Sequence, residues 1–135
     1  MRVVSLVNHP AMKIPLVEDE PVLLMAMRHF LEEEKFIVTT AATYNQASVA
    51  LHDYHYDCIV VDIGLPDGNG LDLIRQVKAV TKPADAGLII ISANDSLDDK
   101  LMGPELGSDD YLTKPFHRPE LNARIKSVLR RRFFG

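Results

Sequence analysis

Four side-chain types at four strand ends mark where chemistry would be done. Asp62 closes a short apolar, β-branched run, Cys58 to Val61, too short for a core helix and of the kind that forms a buried strand. Glu18 and Asp19 follow another apolar stretch, Lys13 to Val17, while Ser92 and Lys114 follow Leu88 to Ile91 and Asp110 to Thr113. In a parallel sheet these last residues converge on one edge, where open α/β sheets hold their ligands. Carboxylates crowded there with too little to neutralise them imply a bound cation, and an all-oxygen donor set suits Mg²⁺. A carboxylate on that cation, flanked by a hydroxyl and an ammonium, can attack a phosphoryl group. The metal and Lys114 then offset the charge of the transferring oxygens, and Ser92 hydrogen-bonds one of them. An acid at a strand end is also commonly a loop residue or a helix cap. For Asp19, just ahead of Pro21, capping of the next helix is expected as well.

The elements that position these residues alternate along the chain. After the first strand, a helix over about Pro21 to Lys35 carries Leu24, Met27 and Leu31 on one face. A strand at Phe36 to Thr40 leads to a helix capped by Thr43 and running through Leu51, with Ala47, Ala50 and Leu51 inward. Beyond the strand Asp57 to Asp62, the turn residues Gly64, Pro66, Gly68 and Gly70 predict an exposed loop. A helix follows over Leu71 to Ala79, with Leu71, Ile74 and Val77 at helical spacing, then a connection over Thr81 to Gly87. The strand Leu88 to Ile91 precedes a helix over Leu97 to Leu106 stopped by Gly107. The strand Asp110 to Thr113 precedes a last helix, Arg118 to Arg132, with Leu121, Ile125, Val128 and Leu129 apolar. Five β/α units without a repeat or linker predict a parallel sheet covered on both faces. Two prolines run against this pattern. Pro15 removes a ladder donor from the first strand, and Pro104 kinks the fourth helix, shortens it or delays its start.

The chain of 135 residues is one domain by length, read as 12–132, with 1–11 an N-terminal extension and 133–135 the start of a linker or tail. A net charge of −4 argues against the bulk of the chain gripping nucleic acid; only Arg130 to Arg132 form a basic run. One cysteine, Cys58, excludes a disulfide framework and points to a reducing, cytoplasmic setting. No apolar stretch approaches the ~18 residues a membrane span needs. The five histidines, at 9, 29, 52, 55 and 117, have no metal-ligand spacing, and no glycine-rich phosphate loop occurs.

Four stretches, VEDE at Val17 to Glu20, VDIGLPDGNGLDLI at Val61 to Ile74, IIISAND at Ile89 to Asp95 and LGSDDYLTKPF at Leu106 to Phe116, make the chain resemble the receiver domains of two-component response regulators. The resemblance implies a flavodoxin-like, CheY-like five-stranded parallel sheet with strand order 2-1-3-4-5. It implies that Asp62 takes a phosphoryl group from a sensor histidine kinase, and that the domain is a self-catalysing phosphoacceptor with slow autodephosphorylation rather than an enzyme. By the same resemblance Asp19 and Asp62 bind Mg²⁺ with the backbone carbonyl of Gly64, Glu18 acts mostly through water, and Lys114 pairs with the acyl phosphate and is joined to Pro115 by a cis bond. Ser92 would move toward the phosphate and Tyr111 would turn inward behind it. Gly64 and Ala93, both small, would leave water a path to the phosphorus.

The segment PELNARIKSVLRRR after LGSDDYLTKPF is similar to the OmpR/PhoB type. That type implies a homodimer formed on phosphorylation through the face of the fourth helix, fifth strand and fifth helix, with Lys100, Asp109, Asp110, Glu120 and Arg124 as candidates for its ion pairs. It also implies DNA contact only through a C-terminal domain that this chain lacks, and no membrane contact. Two other readings stand beside it. A Mg²⁺-dependent phosphohydrolase of the haloacid dehalogenase type needs an acid two residues after its nucleophile, where this chain has Gly64. An inert acidic binding module would have lost Asp62 or Lys114, and both are present.

Overall fold

The computed structural model describes residues 11–53, 55–81, 86–93 and 107–134. Five strands, β1 (Lys13–Val17), β2 (Ile37–Ala41), β3 (Cys58–Asp62), β6 (Gly87–Ser92) and β7 (Asp110–Thr113), form one sheet. Every pairing in it is parallel, and the spatial order is β2-β1-β3-β6-β7. Set aside the two-residue strands β4 (Gly64–Leu65) and β5 (Gly68–Asn69), and this is the expected 2-1-3-4-5 order. The helices are α1 (Pro21–Glu33), α2 (Tyr44–Asp53), α3 (Gly70–Thr81) and α4 (Arg118–Leu129).

The continuous apolar runs of β3 and β6 reflect burial on both sides, since every residue of both strands is buried. Alternation then sorts them. Val60, Ile89 and Ile91 pack with Met27 and Leu31 of α1 and Leu121 and Ile125 of α4. Ile59, Val61, Leu88 and Ile90 pack with Ala47 and Leu51 of α2 and Leu71 and Ile74 of α3. Connections from β1 and β3 leave toward opposite faces, so a crevice opens between those two strand ends, at the point where the strand order reverses.

Pro15 sits inside β1 at small cost. Met12 and Glu18 bond to β2 through their backbones, at Ile37 and Ala41, whereas Lys13 bonds to Asp57 on the β3 side. Alternation therefore turns Pro15 toward β3, and the β1–β3 register covers only Leu16 and Val17. The missing donor falls in a gap between the Lys13–Asp57 bond and the ladder pairs at Leu16 and Val17.

Several helix ends differ from the sequence expectation. Asp19 does not cap α1: the cap position is Glu20, without a side-chain cap bond, and Pro21 enters the first turn as expected. Pro21 offers no N–H to a cap, and the Glu20 N–H donates to Glu18 Oε2 at 3.0 Å. α1 closes with Lys35 at φ 71°, its N–H bonded to Glu32 and that of Phe36 to Leu31, the paired bonds that usually call for glycine. Thr43 does cap α2, its Oγ1 accepting the Gln46 N–H at 3.1 Å. β2 lies one residue later than Phe36 to Thr40, and α3 runs to Thr81. α4 stops at Leu129, and Arg130–Phe134 continue as a wider π-helical coil rather than α-helix through Arg132. The predicted helix over Leu97 to Leu106, with Lys100 and Pro104, lies outside the described residues, as does the side chain of Val77.

The stretch expected to be an exposed loop after Asp62 is instead a small hairpin, with Gly64 paired to Asn69 and Leu65 to Gly68. Its far end returns against the strand: Gly70 donates its N–H to Ile63 O at 3.0 Å. A Cβ on Gly70 would lie 2.7 Å from Ile63 Cα and 2.8 Å from Asp62 O, both backbone atoms with little room to yield. Gly70→Ala gains about 1 kcal/mol of helix propensity but forces this contact, so a net loss of about 1–3 kcal/mol is expected in chemical denaturation. A stabilised variant would show that the approach is looser than it looks.

Candidate functional site

The crevice between β1 and β3 is a cleft of about 490 Å³ lined by Asp19, Asp62, Ile63, Gly64, Asn69, Ser92, Ala93 and Lys114. Asp62, at the end of β3, is only 3% exposed. Its Oδ1 accepts the Gly64 N–H at 2.8 Å, and its Oδ2 accepts from Lys114 Nζ at 2.6 Å. Lys114 is brought there by β7: its N–H donates to Ser92 O at 2.8 Å, and its bond to Pro115 is cis, as expected. The same ammonium lies 2.6 Å from Glu18 Oε1. That oxygen has no aligned hydrogen bond, so the contact is an ion pair.

Glu18, Asp19 and Asp62 offer carboxylate oxygens all within 4.8 Å of one another. Among the described residues this is the one acidic or histidine cluster with metal-binding spacing. Three carboxylates against one ammonium leave an excess of negative charge. Burial pushes the Glu18 carboxyl up to about 7, against the lowering effect of the Lys114 ammonium and of the hydrogen bond from the Glu20 N–H, and the Asp62 charge adds to the rise. Burial alone would lower Lys114, but its hydrogen bond to Asp62 and its attraction to Asp62 and Glu18 outweigh that and raise it. The site is thus short of positive charge and built from hard oxygen donors, which fits Mg²⁺.

The expected residues Glu18, Asp19, Asp62, Gly64, Ser92 and Lys114 therefore gather at one place. Tyr111 does not line the cleft; it packs, partly buried, against the cluster beneath α2 and α3. Four of the five proposed dimer residues are engaged within the chain. Arg124 donates to both oxygens of Asp110 at 2.8 and 2.7 Å and reaches Glu120 at 3.3 Å. Asp109 accepts the Leu88 N–H at 2.8 Å and pairs with Arg132. Lys100 lies outside the described residues. Burial pushes the Cys58 thiol up, which leaves it inert. Beside Lys114, an apolar groove of about 570 Å³ runs between α1 and Pro115 to Arg118, with Val22 on its rim.

Sequence reasoning missed Asn69, which lines the cleft and accepts the Leu71 N–H at 2.7 Å as the cap of α3. An asparagine directly ahead of a helical run was the available signal. Gly70 was read only as a turn residue, and no local pattern announces its contact with the Asp62 backbone.

Residues 14–126 match the family model of the response regulator receiver domain. The transcriptional regulatory protein BasR of Escherichia coli (strain K12) is 38% identical over 120 residues, which cover 89% of this chain and 53% of BasR. The two-component response regulator PhoP of Pseudomonas aeruginosa is also 38% identical over 120 residues, covering 89% of this chain and 52% of that protein. The chain thus spans about half the length of these curated relatives. The crystal structure of a CheY-like response regulator receiver domain protein from Methanospirillum hungatei JF-1 superposes with a TM-score of 0.85 at 24% identity, covering 91% of this chain and 97% of that one.

The raised Glu18 pKa has a direct consequence for stability. A carboxyl whose folded pKa exceeds its unfolded value favours the fold while protonated, and that contribution is lost as pH rises from about 4.5 to about 7. Without divalent cation, Glu18→Gln is expected to melt several degrees above the native domain at pH 8, the gap shrinking toward pH 4.5. Mg²⁺ should raise the native melting temperature more than the variant's. A native melting temperature flat across this window would contradict the raised Glu18 carboxyl.

Proposed function

The chain belongs to the response regulator receiver family, and from that membership we propose that Asp62 accepts a phosphoryl group from a phosphohistidine of a sensor histidine kinase. The observation that carries the reading is the placement of Lys114 Nζ 2.6 Å from a buried Asp62 oxygen in a cleft that also holds Ser92 and Asp19.

In the transfer an Asp62 carboxylate oxygen attacks phosphorus. The P–N bond to the imidazole breaks, that nitrogen keeps the electron pair, and a P–O bond forms the acyl phosphate. Asp19, Asp62 and the Gly64 carbonyl would hold Mg²⁺, with Glu18 acting mostly through water, and the cation would supply positive charge against the phosphoryl oxygens. Gly64 N–H holds one Asp62 oxygen, which orients the carboxylate. Lys114 follows the charge from carboxylate to phosphoryl oxygen, and Ser92 donates its hydroxyl to another. The apolar groove beside Lys114 gives a protein partner area to bury next to the reacting groups.

Output follows from redistributed charge. A group of about −2 on Asp62 takes Lys114 away from Glu18 and draws Ser92 inward, with Tyr111 turning in behind it. On the face of β7 and α4, Arg124 trades its intrachain partners Asp110 and Glu120 for those of a second copy, with Lys100 and Asp109 contributing to the same homodimer. Such partly exposed pairs are worth about 1 kcal/mol each, and equivalent pairs with the second copy offset their loss, so small changes in packing decide the exchange. With 12–132 as the receiver, the output is transcriptional, through a DNA-binding domain C-terminal to this chain and in the cytoplasm. No described helix is long and apolar enough to cross a membrane.

A Cβ on Gly64 would meet only Asp62 Oδ1, at an unstrained 3.5 Å, so any side chain there stands over the acceptor. After incubation with acetyl phosphate, intact mass is expected to rise by one phosphoryl group, about 80 Da. The gain should need Mg²⁺ and be absent in Asp62→Asn. Gly64→Arg should hold the adduct several-fold longer by obstructing the attacking water. No adduct in the native domain would overturn the reading, and an unchanged lifetime in Gly64→Arg would remove the water path.

A further inference from the structure

The hairpin that leaves Asp62 is too small to hold itself. Two paired positions, Gly64 with Asn69 and Leu65 with Gly68, are far below what a free hairpin needs in water, so ties to other elements set its position. Its near end is bonded to the acceptor, Gly64 N–H to Asp62 Oδ1 at 2.8 Å. Its far end is bonded to Ile63 through Gly70 N–H at 3.0 Å and caps α3 through Asn69.

The tip is held from α2. Asp67 accepts the Tyr44 N–H at 2.6 Å and the Asn45 N–H at 3.2 Å. Thr43 already serves α2 as its cap, but its hydroxyl takes the Gln46 N–H. Asp67 thus supplies acceptors to two of the first-turn donors that Thr43 leaves over. The bond from the Tyr44 N–H, with a smaller share from Asn45, holds the Asp67 carboxyl below its usual range. Tyr44 adds a second tie. Its ring lies so close to Gly68 that a Cβ there would stand 2.5 Å from Cδ2, and its hydroxyl reaches Gln76 of α3 at 2.8 Å.

We propose that Asp67 is a positioning residue for phosphotransfer: by fastening the hairpin tip to the start of α2 it fixes Gly64 beside Asp62, and so orients the accepting carboxylate. This rests on Asp62 being the phosphoacceptor. Asp67 touches neither the phosphoryl group nor the metal ligands; it acts through the backbone of Gly64. Small misplacements at a reacting group cost large factors in rate, and a tie one hairpin removed costs a fraction of that.

The test compares two caps of the same helix in the intact chain. Asp67→Ala should slow labelling by acetyl phosphate at saturating Mg²⁺ by about three- to tenfold. Asp67→Asn, which keeps an acceptor for the Tyr44 N–H, should recover most of that loss. Thr43→Ala removes a cap from α2 without touching the hairpin, and should leave the rate unchanged while lowering the melting temperature. Hydrogen exchange at the Gly64 amide should quicken in Asp67→Ala and not in Thr43→Ala. Exchange reads the tie whether or not Asp62 is phosphorylated, so failure of the phosphoacceptor reading would show separately, as no adduct on the native chain. Native rate and native Gly64 exchange in Asp67→Ala, or an equal slowing in Thr43→Ala, would overturn the proposal.

Discussion

The Lys114 ammonium lies 2.6 Å from an oxygen of Asp62 and 2.6 Å from an oxygen of Glu18, and the site depends on that shared contact. Asp62 and Glu18 are 3% and 1% exposed. Buried carboxylates this close are tolerable only with a cation between them. One lysine does not neutralise three acids, so the fold holds a site that is electrostatically incomplete. In the proposed function a divalent cation would complete it, and Lys114 would turn from Glu18 to the phosphoryl group. Burial drives the Glu18 carboxyl up toward 7, and the uncompensated charge of Asp62 adds to the rise. A site of this kind is costly to stability.

The sheet exists to hold those charges in register. β1, β3, β6 and β7 run parallel, and their last residues meet where the strand order reverses between β1 and β3. The apolar layers on each face supply the stability that the acids consume. On the face of β7 and α4, Arg124, Asp110 and Glu120 are paired within the chain, as are Arg132 and Asp109. These pairs are partly exposed and sit at the edge of the core, so their loss would leave the core packing intact.

Much of this was legible in the sequence because a strand buried on both faces leaves an unbroken apolar run, and the polar residue that ends it stands out. Asp62 after CIVV and Ser92 after LIII are visible for that reason. What was not legible depended on contacts between distant segments. Asp67 looks like an ordinary turn acid because its partners, Tyr44 and Asn45, lie in another helix. Gly70 looks like one more loop glycine, although it is the Asp62 backbone that requires it. Asp19 made a plausible cap by local rules, but the Glu20 N–H was already taken by Glu18 and Pro21 offered none. Pro15 looked damaging until the register showed that it faces the unpaired stretch beside β3. Tyr111 was placed correctly in β7, but no pattern in the chain shows on which side of the sheet it rests.

Three carboxyls crowd one ammonium, and the account commits to one of them as the acceptor. The most direct test is to load the domain from a phosphodonor with Mg²⁺, reduce it with borohydride, which converts an aspartyl phosphate to homoserine, and map the product by peptide mass. The account predicts homoserine at position 62 and at no other aspartate. Reduction at position 19, or the corresponding alcohol at position 18, would contradict it.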